Sequence, residues 1–155
     1  MEEPISRRFV DRFYEVYSGA DPHATAAYLA DDVEWKVNGP VDIFPFCGHW
    51  RGKAAVLDFL TRVRPTFFAS RRLEPDDVVI DGHHVATFCK SVSVHAQTGR
   101  TIVFYCAHFL TFRDRKLTNL YCMADTFDAV EQVVGHRIDA YYEAVGSSSE
   151  DIVAI

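Results

Sequence analysis

The two residues best suited to acid/base chemistry are His108 and Asp125, in the last third of the chain. The stretch that contains them, residues 101–127, is otherwise rich in aromatic and β-branched side chains. Loss of hydration in an apolar surface shifts the pKa of an imidazole or a carboxyl group, and such shifts produce acid/base groups that work near neutral pH. The pattern therefore predicts proton transfer on a bound small molecule. The structural alternative is a core histidine with satisfied hydrogen bonds and an aspartate that caps the next helix.

A long antiparallel hairpin would position this pair. Residues 113–116 are charged and divide the stretch into two strand-length runs, with a predicted two-residue turn at residues 114–115. That turn pairs His108 with Tyr121 and places His108 and Asp125 on the same face of the sheet. A turn one residue longer would place them on opposite faces, so both registers remain open.

Several other residues are suited to ligand binding around these two. They come from the first predicted helix, the first strand, an aromatic loop and the hairpin, and they are Tyr14, Tyr17, Trp35, His49, Asn119, Tyr121 and Met123. A tyrosine hydroxyl beside an apolar cavity can donate a hydrogen bond to a developing oxyanion. Core packing is the simpler explanation of both helix tyrosines, and a tryptophan in this setting is typical of a cavity wall.

Cofactor and metal motifs are absent from the sequence. No metal-ligand spacing, phosphate-binding loop, dinucleotide fingerprint or nucleophile elbow occurs, so we expect no metal and no cofactor. Lys90 interrupts a strand-like run, and the register of the turn at residues 96–99 decides which face it takes. We expect His23, His95 and His136 to be exposed.

Three helices are predicted before the main run of strands. Residues 5–17 place apolar and aromatic side chains at helical spacing, and a second short helix begins at residues 21–22. Residues 53–63 form the third helix, which Pro65 ends.

The strands follow a simple order. Residues 33–37 alternate apolar and polar side chains as a first strand. Residues 72–80 and 83–95, together with the two arms of the hairpin, predict four successive strands that form a meander. Residues 41–52 are unusually aromatic for a loop, which predicts a segment packed over an apolar surface.

The 155 residues are predicted to form a single domain over residues 1–146, followed by a flexible tail over residues 147–155. A helix over residues 129–145 closes the domain, although Gly135 weakens its middle. A domain of this size can enclose a ligand cavity.

Charge and cysteine usage limit the partners and the compartment. The net charge is −6 and the basic residues are scattered, which argues against nucleic acid and anionic membranes as partners. The longest uncharged run, residues 101–112, is too short to span a bilayer, and the N-terminal residues lack an apolar signal-peptide core. The four cysteines show no CxxC spacing, which predicts free thiols in a reducing compartment, and we expect a cytoplasmic protein.

Four segments together resemble a known superfamily, and they are residues 28–35, 46–60, 108–117 and 125–135. The chain resembles the SnoaL-like branch of the nuclear-transport-factor-2-like (NTF2-like) superfamily, which includes polyketide cyclases and ketosteroid isomerases. The resemblance extends from Phe9 to Gly135. It implies an α+β cone, in which a strongly curved, mainly antiparallel sheet wraps around the N-terminal helices and a C-terminal helix follows. It also implies homodimers that pair through a sheet face.

The resemblance assigns roles to the two acid/base candidates. The cyclases use an acidic residue at the end of the last strand, which corresponds to Asp125 as the general acid/base. The steroid isomerases place a carboxylic acid in the oxyanion hole four residues before a strand phenylalanine, and counting back from Phe112 gives His108. The isomerase's first-strand base falls on Val37 and its first-helix tyrosine on Phe13, so the chain departs from the steroid isomerases there.

Two functions follow from these observations. The first is a cofactor-independent enzyme of the cyclase, isomerase or dehydratase type that acts on an apolar carbonyl compound in an internal cavity. The alternative is a non-catalytic small-molecule-binding protein of the same fold. We expect one cavity with residues 44–50 near its mouth and a wall formed by Trp35, His108, Tyr121, Met123 and Asp125. The apolar second face of the sheet, which carries residues such as Tyr105 and Phe109, predicts a homodimer.

Overall fold

A computed structural model describes residues 3–138 of the chain. The predicted tail and the last part of the predicted C-terminal helix, residues 139–145, lie outside this range. In chain order the helices are α1 (Arg7–Ser18), a 3-10 helix (Pro22–Tyr28), α2 (Lys53–Asp58), a π-helical turn (Phe59–Val63), α3 (Arg64–Phe67) and α4 (Thr126–Val134). The strands are β1 (Leu29–Asn38), β2 (Gly48–Arg51), β3 (Phe68–Asp81), β4 (His84–His95), β5 (Thr101–Arg113) and β6 (Lys116–Ala124).

Helix α1 packs its aromatic stripe against the sheet. The Ser6 side chain caps it by accepting a hydrogen bond from the Phe9 amide at 3.2 Å. Its buried face consists of Phe9, Val10, Phe13, Tyr14 and Tyr17. The spacing of these residues fixes which side chains of α1 point into the molecule.

The helical stretch after β2 continues past the point where the sequence predicts its end. Pro65 was expected to stop the helix, but α3 extends to Phe67. The π-helical turn explains the difference, since the Arg64 amide bonds to the Phe59 carbonyl and a new helical turn begins at that point. Pro65 then occupies the first turn of α3, where its missing N–H is not needed.

The six strands form one mixed sheet in the order β2-β1-β6-β5-β4-β3. Strand β1 runs parallel to β6, and all other neighbours are antiparallel. The predicted meander of four successive strands and the α+β cone are confirmed. Part of the aromatic loop forms an edge strand instead, because residues 48–51 pair with β1.

The hairpin turn is the predicted one, but the register of its strands is not. Residues 114–115 both have left-handed backbone angles, φ 49° and 57°, as a two-residue turn requires. A β-bulge then leaves Thr118 without a partner, so that Thr111 pairs with Asn119 and His108 with Cys122. The Thr118 hydroxyl donates to the Thr111 carbonyl at 3.1 Å. The extra residue turns every later side chain of β6 to the other face.

The core lies between the inner face of the sheet and the helices. Trp35, Phe59, Phe104 and Leu110 are buried, as predicted. Helix α4 ends at Gly135, which has a left-handed conformation (φ 82°) and donates its amide hydrogen to the Glu131 carbonyl as a C-cap. This glycine therefore terminates the helix, although the sequence predicted only a weak point in a longer helix. None of the helices over residues 3–138 is long and apolar enough to cross a membrane.

Candidate active site

A chain of buried polar groups links α1 to the inner face of the sheet. His108 on β5 is 1% exposed, and its Nδ1 lies 2.8 Å from the Tyr14 hydroxyl. The same hydroxyl lies 2.6 Å from Oγ1 of Thr87 on β4. The tyrosine and imidazole rings are parallel to within 1°. Two hydrogen bonds therefore fix the Tyr14 hydroxyl, and one of them orients His108.

Three thiols surround His108. Cys106 lies two residues earlier on β5 and so on the same face, with its Sγ 3.7 Å from His108 Nε2. Strand pairing places Cys89 of β4 opposite Cys106, and Cys122 of β6 opposite His108. All three cysteines are buried free thiols.

Burial and the thiols determine the charge states of this cluster. Burial raises the pKa of Tyr14 well above its usual value, so this residue stays a neutral phenol. Burial disfavours the His108 imidazolium, but the hydrogen bonds and charge interactions with Cys106 and Cys89 outweigh that effect and raise the pKa of His108 to about 9. Hydrogen bonding to Cys106 and burial raise the pKa of Cys89 to about 12.

Three members of the cluster also have the spacing of metal ligands. Within the described part of the chain, the donor atoms of Cys106, His108 and Cys122 all lie within 4.8 Å of one another. Thiolate and imidazole ligands suit soft ions such as zinc or cuprous copper. Sequence spacing did not indicate this group, because strand pairing and not a short motif brings it together.

The polar chain ends at a small enclosed cavity inside the cone. Its volume is about 20 Å³, and Cys106 and Cys122 form part of its wall together with Tyr17, Arg64 and Arg71. The rest of the wall is apolar and consists of Val37, Phe46, Phe59, Phe68, Phe104 and Ala124. No Asp or Glu among residues 3–138 lines this cavity.

A cleft open to solvent lies on the other side of the same wall. It has a volume of about 380 Å³, and Tyr17, Arg64, Phe68 and Arg71 line both spaces. A ligand site of ordinary size occupies about 300–1,000 Å³. These four side chains therefore separate a ligand-sized cleft from the buried polar cluster.

The two arginines of this wall stack on Tyr17. Their guanidinium carbons lie 5.5 Å (Arg64) and 4.6 Å (Arg71) from the centre of the tyrosine ring. Burial, together with the charge of the nearby Arg71, lowers the pKa of Arg64 from its usual value. Nη1 of Arg64 and Nη2 of Arg71 are out of contact with solvent and have no hydrogen-bond partner among the described residues.

Asp125 does not reach the cavity. It is exposed at the end of β6, where its Oδ1 accepts a hydrogen bond from the Asp128 amide at 3.2 Å and caps α4. The prediction that His108 and Asp125 line one cavity is wrong. The bulge at Thr118 shifts the register of β6, so the later side chains of this strand take the opposite face. The structural alternative for Asp125, a helix cap, describes what is observed.

The other predicted binding residues divide into two groups. Tyr14, Tyr17 and Trp35 are buried inside the cone, but of the three only Tyr17 lines the enclosed cavity, so the prediction that Trp35 forms part of its wall is wrong. Asn119, Tyr121 and Met123 lie on the outer face because of the same register shift.

The outer group contributes to a different cleft. His49, Asn119 and Tyr121 line an open cleft of about 610 Å³ outside the cone. There His49 Nε2 lies 3.1 Å from a Glu34 carboxylate oxygen. The aromatic loop does approach the inner cavity, since Phe46 lines it.

The structure also settles the two weaker candidates. Lys90 is half-buried on the outer face, opposite Tyr105, and faces away from the cavity. His95 was expected to be exposed but is buried, with its ring 4.7 Å from that of Phe67 and its Nδ1 2.9 Å from Thr98 Oγ1. Strand alternation places it on the inner face, under the end of α3.

Sequence reasoning missed Cys106, Arg64 and Arg71. Cys106 could have been found, because a cysteine two residues before a histidine on one strand shares its face. The arginines carried no signal in their spacing, since the turn of α3 into β3 brings them together.

Comparison with known proteins identifies a family and several structures with a similar fold. Residues 10–120 match the family described as SnoaL-like domain. No protein of curated function matches the sequence. The fold is similar to that of a candidate isomerase from Rhodopseudomonas palustris, with 31% identity over 83% of this chain and 95% of that chain and a TM-score of 0.70.

Two more distant structures share the fold alone. One is an LEH-like epoxide hydrolase from M. tuberculosis, with 17% identity over 83% of this chain and 88% of that chain and a TM-score of 0.67. The other is a candidate SnoaL-like polyketide cyclase from Jannaschia sp., with 10% identity over 81% of this chain and 89% of that chain and a TM-score of 0.67.

Proposed function

The chain belongs to the SnoaL-like domain family, and on that premise we propose that it is a cofactor-independent enzyme that moves a proton on a small carbonyl compound inside the cone. The observation that carries the proposal is the buried chain Tyr14–His108–Cys106, which ends at the cavity wall. A reactive group paired with a base that a third residue orients is the usual arrangement of an activated side chain.

The geometry suggests how the proton moves. Tyr14 holds Nδ1 of His108, which leaves Nε2 directed at the Cys106 sulfur. The sulfur and Nε2 lie 3.7 Å apart and share one proton, and in the reactive form this proton is on the ring. The Cys106 thiolate then takes a proton from the carbon next to the substrate carbonyl, and the bond electrons move to the carbonyl oxygen as an enolate.

Tyr17 is placed to stabilise that enolate. It lines the cavity with Cys106, and the guanidinium groups of both arginines lie over its ring. A donor in a water-excluding apolar site stabilises developing charge more strongly than one in water. Return of the proton to another carbon completes an isomerisation, attack of the enolate carbon on a second carbonyl completes a cyclisation, and loss of a β-hydroxyl group as water completes a dehydration.

Substrate entry requires movement of the wall. The enclosed space of about 20 Å³ holds little more than a water molecule, so a substrate occupies the 380 Å³ cleft and extends past Arg64 and Arg71. Passage of the substrate therefore requires rotamer changes of both arginine side chains, which stack on Tyr17. The aromatic rings of the wall exclude water around the reacting atoms.

Deuterium exchange tests the proposal without knowledge of the product. In D2O, proton NMR follows exchange next to the carbonyl of phenylpyruvate and of the neutral ketone phenylacetone. We expect wild type to accelerate exchange in at least one of them, and Cys106→Ala and His108→Gln each to slow it by about 10²–10⁴-fold. Cys47→Ala is the matched control, because Cys47 is a buried thiol outside the cluster. Exchange at the wild-type rate in both cluster variants would reject the proposal.

A non-catalytic binding protein is the second candidate. It is supported by the lack of a carboxylate in the cavity wall among the described residues, since the predicted acid/base Asp125 caps a helix instead. Binding of both ketones to the wild-type protein without any acceleration of exchange would favour this candidate.

We also propose that two copies pair through the outer face of the sheet. This face exposes large apolar side chains, and they include Phe88, Tyr105, Phe109, Tyr121 and Met123, each 40–50% exposed. Phe88 and Tyr105 stack with ring centres 5.2 Å apart. Contiguous apolar surface of this kind is typical of protein interfaces. The four free thiols support a reducing compartment, and we propose the cytoplasm.

A further inference from the structure

Two cations in the wall of the cavity lack an anionic partner. Arg64 lies at the start of α3 and Arg71 near the start of β3, and a guanidinium nitrogen of each is buried without a hydrogen-bond partner among the described residues. No salt bridge within residues 3–138 includes either side chain. The exposed neighbour Arg72, in contrast, pairs with Glu74 at 2.6 Å.

This arrangement carries a cost that is clearest at Arg64. Burial and the nearby Arg71 lower the pKa of Arg64, whereas at Arg71 the interactions with Tyr17, Cys106 and Cys122 outweigh the effect of burial and raise the pKa. A buried charge without a partner loses its hydration, and two like charges close together repel each other. Stacking on the Tyr17 ring offsets part of this cost, because the ring face attracts cations. A site that keeps two unpaired guanidinium groups at the mouth of a cavity is suited to an anion.

We propose that Arg64 and Arg71 bind the carboxylate of the substrate, so that the ligand is a small organic acid with an apolar body. This inference rests on the proposed function for the use of the site. Both arginines line the same cavity as Cys106, and the cavity is small. Few bonds can therefore separate the carboxylate from the reacting carbon, which favours 2-oxo or 3-oxo acids.

The carboxylate has a direct path to this position. The solvent-filled cleft reaches both arginines, while the aromatic side chains of the inner wall receive the apolar part of the ligand. Planar guanidinium groups match a carboxylate, which can accept from one nitrogen of each arginine. The bound acid supplies the partners that Nη1 of Arg64 and Nη2 of Arg71 lack.

Three probes that share a phenyl ring on a two-carbon chain and differ in the charge of the end group test the inference on the wild-type protein. Calorimetry compares phenylacetate, its neutral isostere phenylacetamide and the cation phenethylamine. We expect phenylacetate to bind about tenfold or more tightly than phenylacetamide, and phenethylamine to bind more weakly than both. Equal affinity of the acid and the amide would overturn the inference.

Variants then show which residues cause the preference for the acid over the amide. Arg64→Gln and Arg71→Gln should each reduce the acid-to-amide affinity ratio toward one, and Arg71→Lys should keep part of it. Arg72→Gln is the matched control, since Arg72 lies next to Arg71 but is exposed on the outer face, and it should leave the ratio unchanged. An unchanged ratio in both glutamine variants would place the acid elsewhere and refute the assignment.

The same experiments separate this inference from the proposed function. Cys106→Ala should lose deuterium exchange but keep the preference for phenylacetate. The arginine variants could lose the preference for the acid while Cys106→Ala keeps the full exchange rate. That result would support the carboxylate site and reject the proton-transfer mechanism. If exchange of phenylacetone depends on Cys106 but the protein shows no preference for the acid, the proton-transfer mechanism is supported and the carboxylate site is rejected.

Discussion

Removal of the Tyr14 hydroxyl tests the buried polar chain most directly. Tyr14 is 3% exposed, and its hydroxyl forms hydrogen bonds with His108 Nδ1 at 2.8 Å and with Thr87 Oγ1 at 2.6 Å. Tyr14→Phe leaves these two buried groups without that partner, at about 1–3 kcal/mol for each group that stays unsatisfied. Thr87 keeps its contact with Cys89 Sγ at 3.3 Å, so the imidazole accounts for most of the loss.

We expect the free energy of unfolding to fall by about 2–3 kcal/mol in Tyr14→Phe. A chain of this length loses about 2–4 °C in Tm per kcal/mol, which corresponds to a decrease of about 4–12 °C. Urea unfolding followed by circular dichroism gives the free energy, and thermal scans give the Tm. Tyr28→Phe is the control, because the Tyr28 hydroxyl bonds to no other described residue, and we expect it to change stability by less than about 0.5 kcal/mol.

A double-mutant cycle separates the hydrogen bond from the loss of packing. Thr87→Val keeps the shape of the side chain but removes its hydroxyl. In Tyr14→Phe/Thr87→Val both partners of the 2.6 Å bond are apolar, so the double variant should be more stable than the sum of the single losses predicts, by about 0.5–1.5 kcal/mol. A Tyr14→Phe loss below about 0.5 kcal/mol, or strict additivity in the cycle, would refute the view that this hydroxyl satisfies two buried groups.

Three other predictions concern charge, metal binding and assembly. The pKa of His108 is raised from 6.5 to about 9 in the folded protein. Protonation of His108 therefore contributes fully to the free energy of unfolding below pH 6.5, and this contribution is lost as the pH rises through 9. Urea unfolding should show this decline in wild type and not in His108→Gln. Zinc ions should inhibit deuterium exchange by occupying the atoms of Cys106, His108 and Cys122, and a chelator should restore the rate; inhibition that persists in Cys122→Ser would argue against that group. Light scattering should give the mass of two chains for wild type and of one chain for Phe109→Asp, and a wild-type mass of one chain would exclude the proposed dimer.

The sequence predicted most of the architecture because hydrophobic periodicity reflects burial. The stripe of α1, the four-strand meander and the two-residue turn at residues 114–115 all follow from local patterns of side chains and charges. Errors arose where a local rule had an exception that depends on packing. Pro65 lies inside a helical stretch because the π-helical turn before it starts a new turn, and no sequence pattern marks that turn.

The candidate site was predicted in part for the same reason. His108, Tyr14, Tyr17 and Trp35 lie inside the cone because each belongs to a strongly periodic element. Asp125 was placed inside by counting along β6 without a bulge, and the count failed at Thr118.

Two single unpaired residues, Ala69 and Thr118, decide which of the site's side chains on β3 and β6 enter the cone. On β3, Ala69 has no partner in β4, so the strand changes face after Phe68 and Arg71 points inward while Arg72 points outward. Without that bulge the alternation from Phe68 would bring Arg72 inside.

Thr118 has the same effect on β6, where it exchanges Tyr121 and Met123 for Leu120 and Cys122 on the inner face. The bulges therefore bring one guanidinium, that of Arg71, and one thiol, that of Cys122, to the inner face, whereas Cys106 and His108 lie on β5 and depend on neither bulge. The bulge at Thr118 also removes Asp125 from the interior, where its carboxylate caps α4, so acid/base chemistry inside the cone requires other groups, and we propose His108 and Cys106 for that role.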